Sequence, residues 1–227
     1  MISVAIDGPA GAGKSTIAKL AAKRLGLIYV DTGALYRTLG LAARLTGTNI
    51  HNGGELEKLL KNSLVELKFI NSEQRVFLNG DDVSEKIRTA DMGAAASEIS
   101  AIPRVRQHLL DMQRGLATTD SVIMDGRDIG TVVLPDADVK IFLTASPECR
   151  AKRRQLDLRQ KGENVDYNEV LQLIIKRDYQ DSHREIAPLK PADDSILVDT
   201  SSLDLEQSVE KIISLIKEKT TIQDEQN

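Results

Sequence analysis

The residues most suited to chemistry form a glycine-rich segment close to the start of the chain. Residues 8–15 read Gly-Pro-Ala-Gly-Ala-Gly-Lys-Ser and match the pattern G-x-x-x-x-G-K-[S/T] at every defined position. An apolar run at residues 2–6 precedes the segment, and apolar residues at helical spacing follow it. Glycines let backbone N–H groups approach phosphate oxygens, and a helix that begins near Lys14 adds its positive end. The segment therefore predicts a triphosphate site in which Lys14 reaches the β- and γ-phosphates and the Ser15 hydroxyl binds Mg²⁺.

Two clusters of arginine and acidic residues farther along the chain could form a second anion site. The first reads Asp-Thr-Gly-Ala-Leu-Tyr-Arg and places the Thr32 hydroxyl at a helix start, with Arg37 at helical spacing from it. The second reads Asp-Gly-Arg-Asp and follows an apolar run directly. Asp125 is placed near a magnesium ion, Arg127 offers a fork for phosphate, and Asp128 offers an acceptor for a base edge or a hydroxyl. Taken alone, the first could also be a helix cap with a surface arginine, and the second a turn with a self-paired Arg and Asp.

A third cluster places Arg177, Asp181 and Arg184 at i, i+4 and i+7, so that one helical face carries arginine, aspartate and arginine. Solvent-exposed salt bridges along the helix would explain this pattern equally well. Three such clusters in a chain that also has a phosphate loop, however, together favour a second phosphate-binding site. Arg153 and Arg154 belong to a helix that is basic over much of its length. This helix is either a solvated face or a mobile lid that closes arginines over the transferring phosphate.

Five short apolar runs alternate with helical patterns and predict a parallel sheet that is covered by helices on both faces. The runs are residues 2–6, 28–30, 121–125, 139–143 and 196–198. Ligands of such sheets bind beyond the carboxyl ends of the strands. Four acidic residues, Asp7, Asp31, Asp125 and Asp199, fall at or just after these ends.

One part of the chain changes from the helical to the strand period. Residues 64–70 alternate in polarity, residues 71–74 read as a turn, and residues 75–78 read as a second strand before Asn79-Gly80. We expect a small antiparallel hairpin inserted among helices. The last residues, 220–227, are polar and are predicted to fray.

Composition limits the classes of function. The chain has 227 residues, of which 41% are hydrophobic and 28% charged, which fits one soluble domain or one domain with an insertion. Its net charge of −4 supplies no global basic field for nucleic acid, so any anion site must be local. The single cysteine, Cys149, cannot form an internal disulfide, which favours the reducing cytoplasm. No apolar run could span a bilayer and no signal peptide is evident, so we expect no membrane partner.

Phosphoryl transfer is the chemistry that these residues favour. The transferring group spreads its charge over several oxygens, so catalysis is mostly positioning and electrostatic stabilisation, here by Mg²⁺, Lys14, Arg127 and Arg177. We assign no catalytic role to the three histidines.

Two other classes of phosphate-loop protein lack their characteristic motifs in this sequence. The chain lacks the Asn-Lys-x-Asp motif that reads guanine and the Ser-Gly-Gly-Gln-like signature of ABC ATPases. Two alternatives stay open at this point: a kinase of a non-nucleotide substrate, of the shikimate type, and a nucleotide-binding regulator that transfers no phosphate. The second of these would not need three arginine clusters.

Almost the whole chain resembles the bacterial cytidylate kinases. The likeness rests on I-D-G-P-A-G-A-G-K-S-T, D-T-G-A-L-Y-R, I-P-R-V-R, D-G-R-D-I-G-T-V-V-L-P and R-D-x-x-D-x-x-R-x-x-A-P-L, and the last three are far more specific than the phosphate loop. The resemblance implies an α/β fold: a five-stranded parallel P-loop kinase core with helices on both faces, within one domain, 1–227. It also implies a monophosphate-binding region near residues 40–100 that contains a small antiparallel β insertion, and a helical lid near residues 148–165.

The resemblance also implies an activity and a set of ligands. The enzyme would transfer the γ-phosphate of ATP to CMP or dCMP with Mg²⁺, as a monomer in the cytoplasm. ATP would contact Gly8, Pro9, Ala10, Gly11, Ala12, Gly13, Lys14, Ser15, Thr16, Arg153 and Arg154. CMP would contact Thr32, Arg37, Ser97, Arg106, Arg127, Asp128, Arg177, Asp181 and Arg184. Within the CMP set, Ser97, Arg106 and Asp128 would read cytosine, while Asp181 and neighbouring arginines would hold the sugar. Ser15 and Asp125 would serve the metal.

Overall fold

Five apolar segments form the strands of one parallel sheet, which confirms the predicted fold class. The computed structural model describes residues 1–71, 73–160 and 162–221. Its elements in chain order are β1 (Ser3–Asp7), α1 (Lys14–Leu25), β2 (Ile28–Asp31), α2 (Thr32–Thr46), α3 (Gly53–Asn62), β3 (Val65–Ile70), β4 (Glu73–Leu78), β5 (Asp81–Asp82), α4 (Ala90–Ser100), α5 (Pro103–Thr119), β6 (Val122–Gly126), β7 (Val139–Thr144), α6 (Pro147–Gln160), α7 (Tyr167–His183), β8 (Ile196–Asp199) and α8 (Leu205–Lys219). The parallel strands lie in the order β2-β6-β1-β7-β8. The first strand of the chain is therefore central, and the phosphate loop that follows it starts at the middle of the sheet.

Apolar side chains cover both faces of this sheet. On one face α1 and α8 pack against β1, β7 and β8, and Ile212 and Ile216 of α8 are fully buried there. On the other face Val30 and Met124 pack with the short π-helical turn Ile129–Val133, which the sequence did not predict. Each fully buried side chain of this size contributes about 1.5–3 kcal/mol. The two layers hold the carboxyl edge of the sheet in place.

The inserted antiparallel sheet has three strands, in the order β3-β4-β5, and not the two that the sequence predicts. The third strand, β5, has only two residues, both aspartate, and so shows no strand periodicity. It follows the expected tight turn, in which Asn79 and Gly80 both have positive φ. The second strand begins at Glu73, two residues earlier than predicted, because Glu73 and Gln74 pair with Ile70 and Phe69 of β3 instead of forming a turn.

The ends of two helices matter for the site, and one of them differs from the sequence prediction. Helix α2 begins at Thr32, and the Asp31 side chain caps it by accepting a hydrogen bond from the Ala34 N–H at 3.1 Å. Helix α7 ends at His183, so Arg184 lies just beyond the helix. The predicted single helical stripe is therefore wrong for Arg184, since the chain becomes extended at that residue.

Helices α6 and α7 form a separate small layer. They pack through a cluster of Ala151, Leu158, Val170 and Ile174. Ser146 caps α6, and its hydroxyl accepts a hydrogen bond from the Cys149 N–H at 3.2 Å. The limits given for the lid and the monophosphate-binding region stay predictions. No helix in the described ranges is both long and apolar enough to cross a membrane. Of the tail predicted to fray, residues 222–227 lie outside the described residues.

Candidate functional site

The phosphate loop has a backbone that only glycine can adopt at its key positions. Gly8 has a φ of +152°, and a Cβ built on it would lie 1.9 Å from the backbone oxygen of Leu143. Gly13, with a φ of +89°, immediately precedes α1. The glycines therefore let the loop pass against β7 and turn into the helix. The loop already holds Lys14, whose Nζ donates a hydrogen bond to the Pro9 carbonyl at 2.8 Å.

Burial shifts the ionisation of the groups beneath this loop. Burial lowers the pKa of Lys14 to about 7, and the positive charge of Arg127 adds to the effect. Burial raises the pKa of Asp125 to about 6, with a further contribution from Asp31. It also raises the pKa of Asp7 to about 6, although that carboxylate accepts hydrogen bonds from two backbone N–H groups. Perturbed values of this kind gather at functional sites.

Asp125 lies at the end of β6 and connects three other segments. The Ser15 hydroxyl donates to its Oδ2 at 2.9 Å, and the Tyr29 hydroxyl donates to its Oδ1 at 2.8 Å. The Thr32 hydroxyl donates to its backbone oxygen at 2.8 Å. Hydroxyl and carboxylate oxygens are ligands that Mg²⁺ accepts, so Ser15 and Asp125 together fit a magnesium ion. The sequence analysis missed Tyr29, although it lies two residues before the conspicuous Asp31.

One cavity of about 650 Å³ gathers most of the predicted site residues. It is lined by Ala10, Gly11, Gly13, Lys14, Ser15, Thr16, Thr32, Arg37, Ser97, Arg106, Asp125, Arg127, Asp128, Arg153, Arg177, Asp181 and Arg184. Gly8, Pro9 and Ala12 are buried behind the loop surface and do not line it. Arg154 is half-buried and does not line the cavity either, but its charge contributes to the lowered pKa of Arg177. Segments that are far apart in the chain thus meet at the carboxyl edge of the sheet.

Arg37 and Arg127, which line the cavity, each form an ion pair with a neighbouring carboxylate. Arg37 is paired with Asp31, the capping residue of its own helix. Arg127 donates from Nε to Asp181 at 2.9 Å and from Nη1 to the Gly126 carbonyl at 3.1 Å. The pairing holds these guanidinium groups in fixed orientations.

Three guanidinium nitrogens in the cavity wall are buried without a hydrogen-bond partner among the described residues. They are Nε of Arg37, Nε of Arg177 and Nη2 of Arg184. Arg184 Nη2 lies 3.6 Å from Asp128, within ion-pair range. Buried N–H groups are almost always hydrogen-bonded in folded proteins, so unpaired donors on residues that line a cavity favour a site for an anion.

Arg177 is the extreme case of these three. It makes no hydrogen bond or ion pair with any residue that the structure describes. Burial lowers its pKa, and the charges of Arg127 and Arg37 lower it further. Gly93 of α4 leaves room for it, since a Cβ there would lie 3.6 Å from Arg177 Nη1. Arg177 therefore raises the free energy of the folded protein, which suits a residue kept for a ligand.

A more deeply buried group lies beside this arginine cluster. Arg106 forms an ion pair with Asp128, donates to the Ser100 carbonyl at 3.1 Å and lies over the Tyr36 ring at 5.5 Å from its centroid. Asp128 and Arg106 are each less than a tenth exposed. Burial opposes the charged form of Arg106, but Asp128 and Tyr36 raise its pKa overall. Ser97 lines the same cavity and is half-buried. The group combines donors, an acceptor and an aromatic face, which can recognise a planar polar ring.

The basic helix α6 contains one functional arginine that sequence reasoning missed. Arg150 is 3% exposed and donates to the carbonyls of Ala145 at 2.8 Å and Ala10 at 3.0 Å. It also pairs with both oxygens of Asp178, at 2.9 and 2.5 Å. Arg150 thus ties the phosphate loop to both helices of the α6–α7 layer. No pattern in the sequence set Arg150 apart from the other basic residues of this helix.

Two further segments beside the phosphate loop line the cavity. Arg153 donates to the Thr200 carbonyl at 2.7 Å and to the Thr200 hydroxyl at 3.3 Å. Leu203, Asp204 and Leu205, which follow β8, also line the cavity. The sequence analysis did not single out this segment, although the rule that ligands bind beyond strand ends applies to β8 as well. Asp199, which the same rule highlighted, instead accepts hydrogen bonds from Ser201.

Comparisons with known proteins agree with this geometry. A family model described as Cytidylate kinase matches residues 4–218. The cytidylate kinase of Caldicellulosiruptor bescii is 50% identical over 94% of this chain and 95% of its own. That of Thermosipho melanesiensis is 50% identical over 95% of this chain and 97% of its own. A solved structure of an uncharacterised protein from Eubacterium ventriosum has a TM-score of 0.53 at 15% identity and covers 96% of this chain and 99% of its own, a likeness of fold alone. The match over nearly the full length means that the chain belongs to the cytidylate kinase family.

Proposed function

We propose that the chain transfers the γ-phosphate of ATP to CMP or dCMP, giving ADP and CDP or dCDP. The observation that supports this most is that one cavity contains both the phosphate loop with Lys14 and a set of arginines with unpaired donors. In-line transfer needs a donor and an acceptor phosphate held close together in a fixed orientation. Family membership identifies the chain as a kinase, and its relatives are named for the phosphorylation of cytidylate.

On the donor side, residues 8–16 hold the phosphates of ATP. Backbone N–H groups of the loop and the start of α1 face the triphosphate, and Lys14 exchanges its bond to Pro9 for one to a phosphate oxygen. Anionic phosphate favours the charged form of Lys14, so binding raises the lowered pKa of that residue. The adenosine lies against the segment 203–205, with Arg153 and Arg154 nearby.

Ser15 and Asp125 hold Mg²⁺, with Tyr29 orienting the carboxylate. When bound, the ion neutralises charge on the phosphate oxygens of ATP. The protein contributes a buried carboxylate and a hydroxyl that already face each other across 2.9 Å.

On the acceptor side, Thr32, Arg37, Arg127 and Arg177 bind the phosphate of CMP. The nucleotide takes up the unpaired donors, while Asp31 and Asp181 keep Arg37 and Arg127 in their orientations. Asp181 and Arg184 hold the sugar. Cytosine lies against Ser97, Arg106 and Asp128, where a carboxylate and a guanidinium present an acceptor beside donors.

Catalysis comes from charge that is already in place when the phosphoryl group moves. Lys14, Arg127 and Arg177 surround the cavity and stabilise negative charge as it redistributes between donor, phosphoryl group and acceptor. No side chain has to form a covalent bond. Closure of the proposed lid, near residues 148–165, would exclude water, which otherwise competes with CMP for the phosphate.

A panel of acceptors tests this function. Initial rates of ADP formation are measured at fixed Mg-ATP with CMP, dCMP, UMP, AMP or no acceptor. We expect turnover to depend on CMP or dCMP and to be low with AMP. Equal rates with AMP, or no turnover with any pyrimidine monophosphate, would refute the proposal. Light scattering on the protein as it elutes from a size-exclusion column tests the proposed monomer. We also propose that the enzyme is cytoplasmic and has no nucleic-acid or membrane partner.

A further inference from the structure

The tip of the inserted hairpin contacts the outermost strand of the central sheet. Strand β2 is an edge strand and pairs only with β6 among the strands described. At its last residue, the Asp31 N–H donates to Oε1 of Gln74 at 2.8 Å, and Nε2 of Gln74 donates to the Asp31 carbonyl at 3.2 Å. One side-chain amide thus satisfies both backbone groups of Asp31, as the peptide group of a neighbouring strand would.

Asp31 in turn fixes the start of α2 and the position of Arg37. Its Oδ1 accepts the Ala34 N–H, and its Oδ2 pairs with the Arg37 guanidinium. The packing around it is close, because a Cβ on Gly33 would lie 3.1 Å from Asp31 Oδ1 and 3.2 Å from Arg37 Nη1. A shift of the Asp31 backbone would therefore be passed directly to Arg37.

A second contact joins the same hairpin to helix α1 but lies outside the cavity. Lys19 of α1 pairs with Glu73 at 2.9 Å, and both side chains are more than half exposed. An exposed pair of this kind contributes little to stability. The two contacts are adjacent in the chain, but only that of Gln74 touches Asp31.

From this geometry we infer that Gln74 is a positioning residue for the acceptor: by clamping the Asp31 backbone, it holds Arg37 in the orientation that binds the acceptor phosphate. The inference depends on the proposed function, since it takes Arg37 to be a ligand of that phosphate. It gives the inserted hairpin a part in acceptor affinity, through a residue that touches neither substrate.

The test compares Gln74→Met with Glu73→Gln. The first substitution keeps the side-chain length and removes both hydrogen bonds to Asp31, and the second weakens the neighbouring ion pair without touching Asp31. We expect Gln74→Met to raise the KM for CMP by about 5- to 50-fold, because a displaced Arg37 loses part of its charge-assisted contact with the acceptor phosphate. The KM for ATP should stay within about twofold of the unsubstituted protein. Glu73→Gln should leave both KM values within about twofold.

A double-mutant cycle separates positioning from a general structural role. If Gln74 acts through Arg37, Gln74→Met should weaken CMP binding, measured by calorimetry, in the unsubstituted background but not in an Arg37→Met background. Equal losses in both backgrounds, or equal rises of the two KM values, would overturn the inference. If Gln74→Met is poorly folded, the same measurements are made on Gln74→Glu. Glutamate can still accept the hydrogen bond from the Asp31 N–H, but it cannot donate one to the Asp31 carbonyl.

The outcome is distinguishable from failure of the proposed function. If the unsubstituted protein does not phosphorylate CMP, the proposed function is refuted by that measurement alone, whatever the variants show. If it does so and Gln74→Met behaves like Glu73→Gln, only the role of Gln74 is refuted.

Discussion

Replacing Arg177 by methionine should separate activity from stability. The side chain has no hydrogen-bond or ion-pair partner within the described ranges, and burial and neighbouring arginines lower its pKa. Methionine fills similar space without charge, so no hydrogen bond or ion pair is lost. The repulsion from Arg127 and Arg37 is relieved, and the attraction to Asp181 is given up. We expect the free energy of unfolding to stay within about 0.5 kcal/mol or to rise by about 1 kcal/mol, as often occurs when a strained site residue is removed.

The expected effect on turnover is large. Two charge-assisted hydrogen bonds from one guanidinium to phosphate, at about 1.5–3 kcal/mol each, amount to about 3–6 kcal/mol. This corresponds to a decrease in kcat/KM for CMP of about 10²- to 10⁴-fold. Thermal unfolding and initial rates on the same preparation measure both quantities.

Arg150→Met is the matched control, since it removes another buried arginine from the same helical layer. Arg150 makes four hydrogen bonds, two of them to Asp178. Breaking such a buried pair should cost about 3–5 kcal/mol and lower the Tm by about 10 °C. If Arg177→Met destabilises the protein as much as Arg150→Met does, or keeps kcat/KM within about threefold, the reasoning on unpaired donors is wrong.

Three further outcomes follow from the site. Burial lowers the pKa of Lys14 to about 7, so at pH 8 the amine is mostly neutral and becomes charged when triphosphate binds. Calorimetry at pH 8 in buffers of different ionisation enthalpy should therefore show net proton uptake. Lys14→Arg, which stays charged, should show almost none, and equal uptake in both would contradict the assignment. Gly8→Ala should lower the free energy of unfolding by about 3 kcal/mol or more, because its Cβ would lie 1.9 Å from the Leu143 backbone oxygen. Gly26→Ala should lower it by only about 1 kcal/mol, since no atom lies within 4 Å of the added Cβ. Similar melting temperatures for the two variants would argue against the loop geometry. Tyr29→Phe should raise the Mg²⁺ concentration for half-maximal activity about tenfold, and an unchanged value would mean that its hydroxyl does not orient Asp125.

Much of the fold follows from local signals that agree with one another. The five apolar runs are the five strands of the parallel sheet, and the phosphate loop lies between β1 and α1 as its motif requires. The acids at strand ends indicated the functional edge of the sheet, because parallel strands end at the same edge. The short strand β5 and the π-helical turn after Asp128 were missed, since two polar residues or one irregular turn carry no period.

The candidate site was less accessible to sequence reasoning than the fold. Arginines beside acids pointed to anion binding, but a sequence does not distinguish the free Arg177 from the fully bonded Arg150. Both lie on helices and both have an aspartate nearby in space. Which of them is satisfied depends on long-range packing, in this case on the approach of Ala10 and Asp178 to Arg150.

The cavity draws residues from the start, middle and end of the chain, from Lys14 through Asp125 to Arg184. No fragment that stops short of α7 contains the complete set of groups. Turnover therefore requires the complete fold. The specific activity of a preparation measures its fraction of intact molecules. Nucleotides that bridge these distant segments should also protect the protein from heat and proteases, and the protection should grow with the logarithm of nucleotide concentration above the Kd.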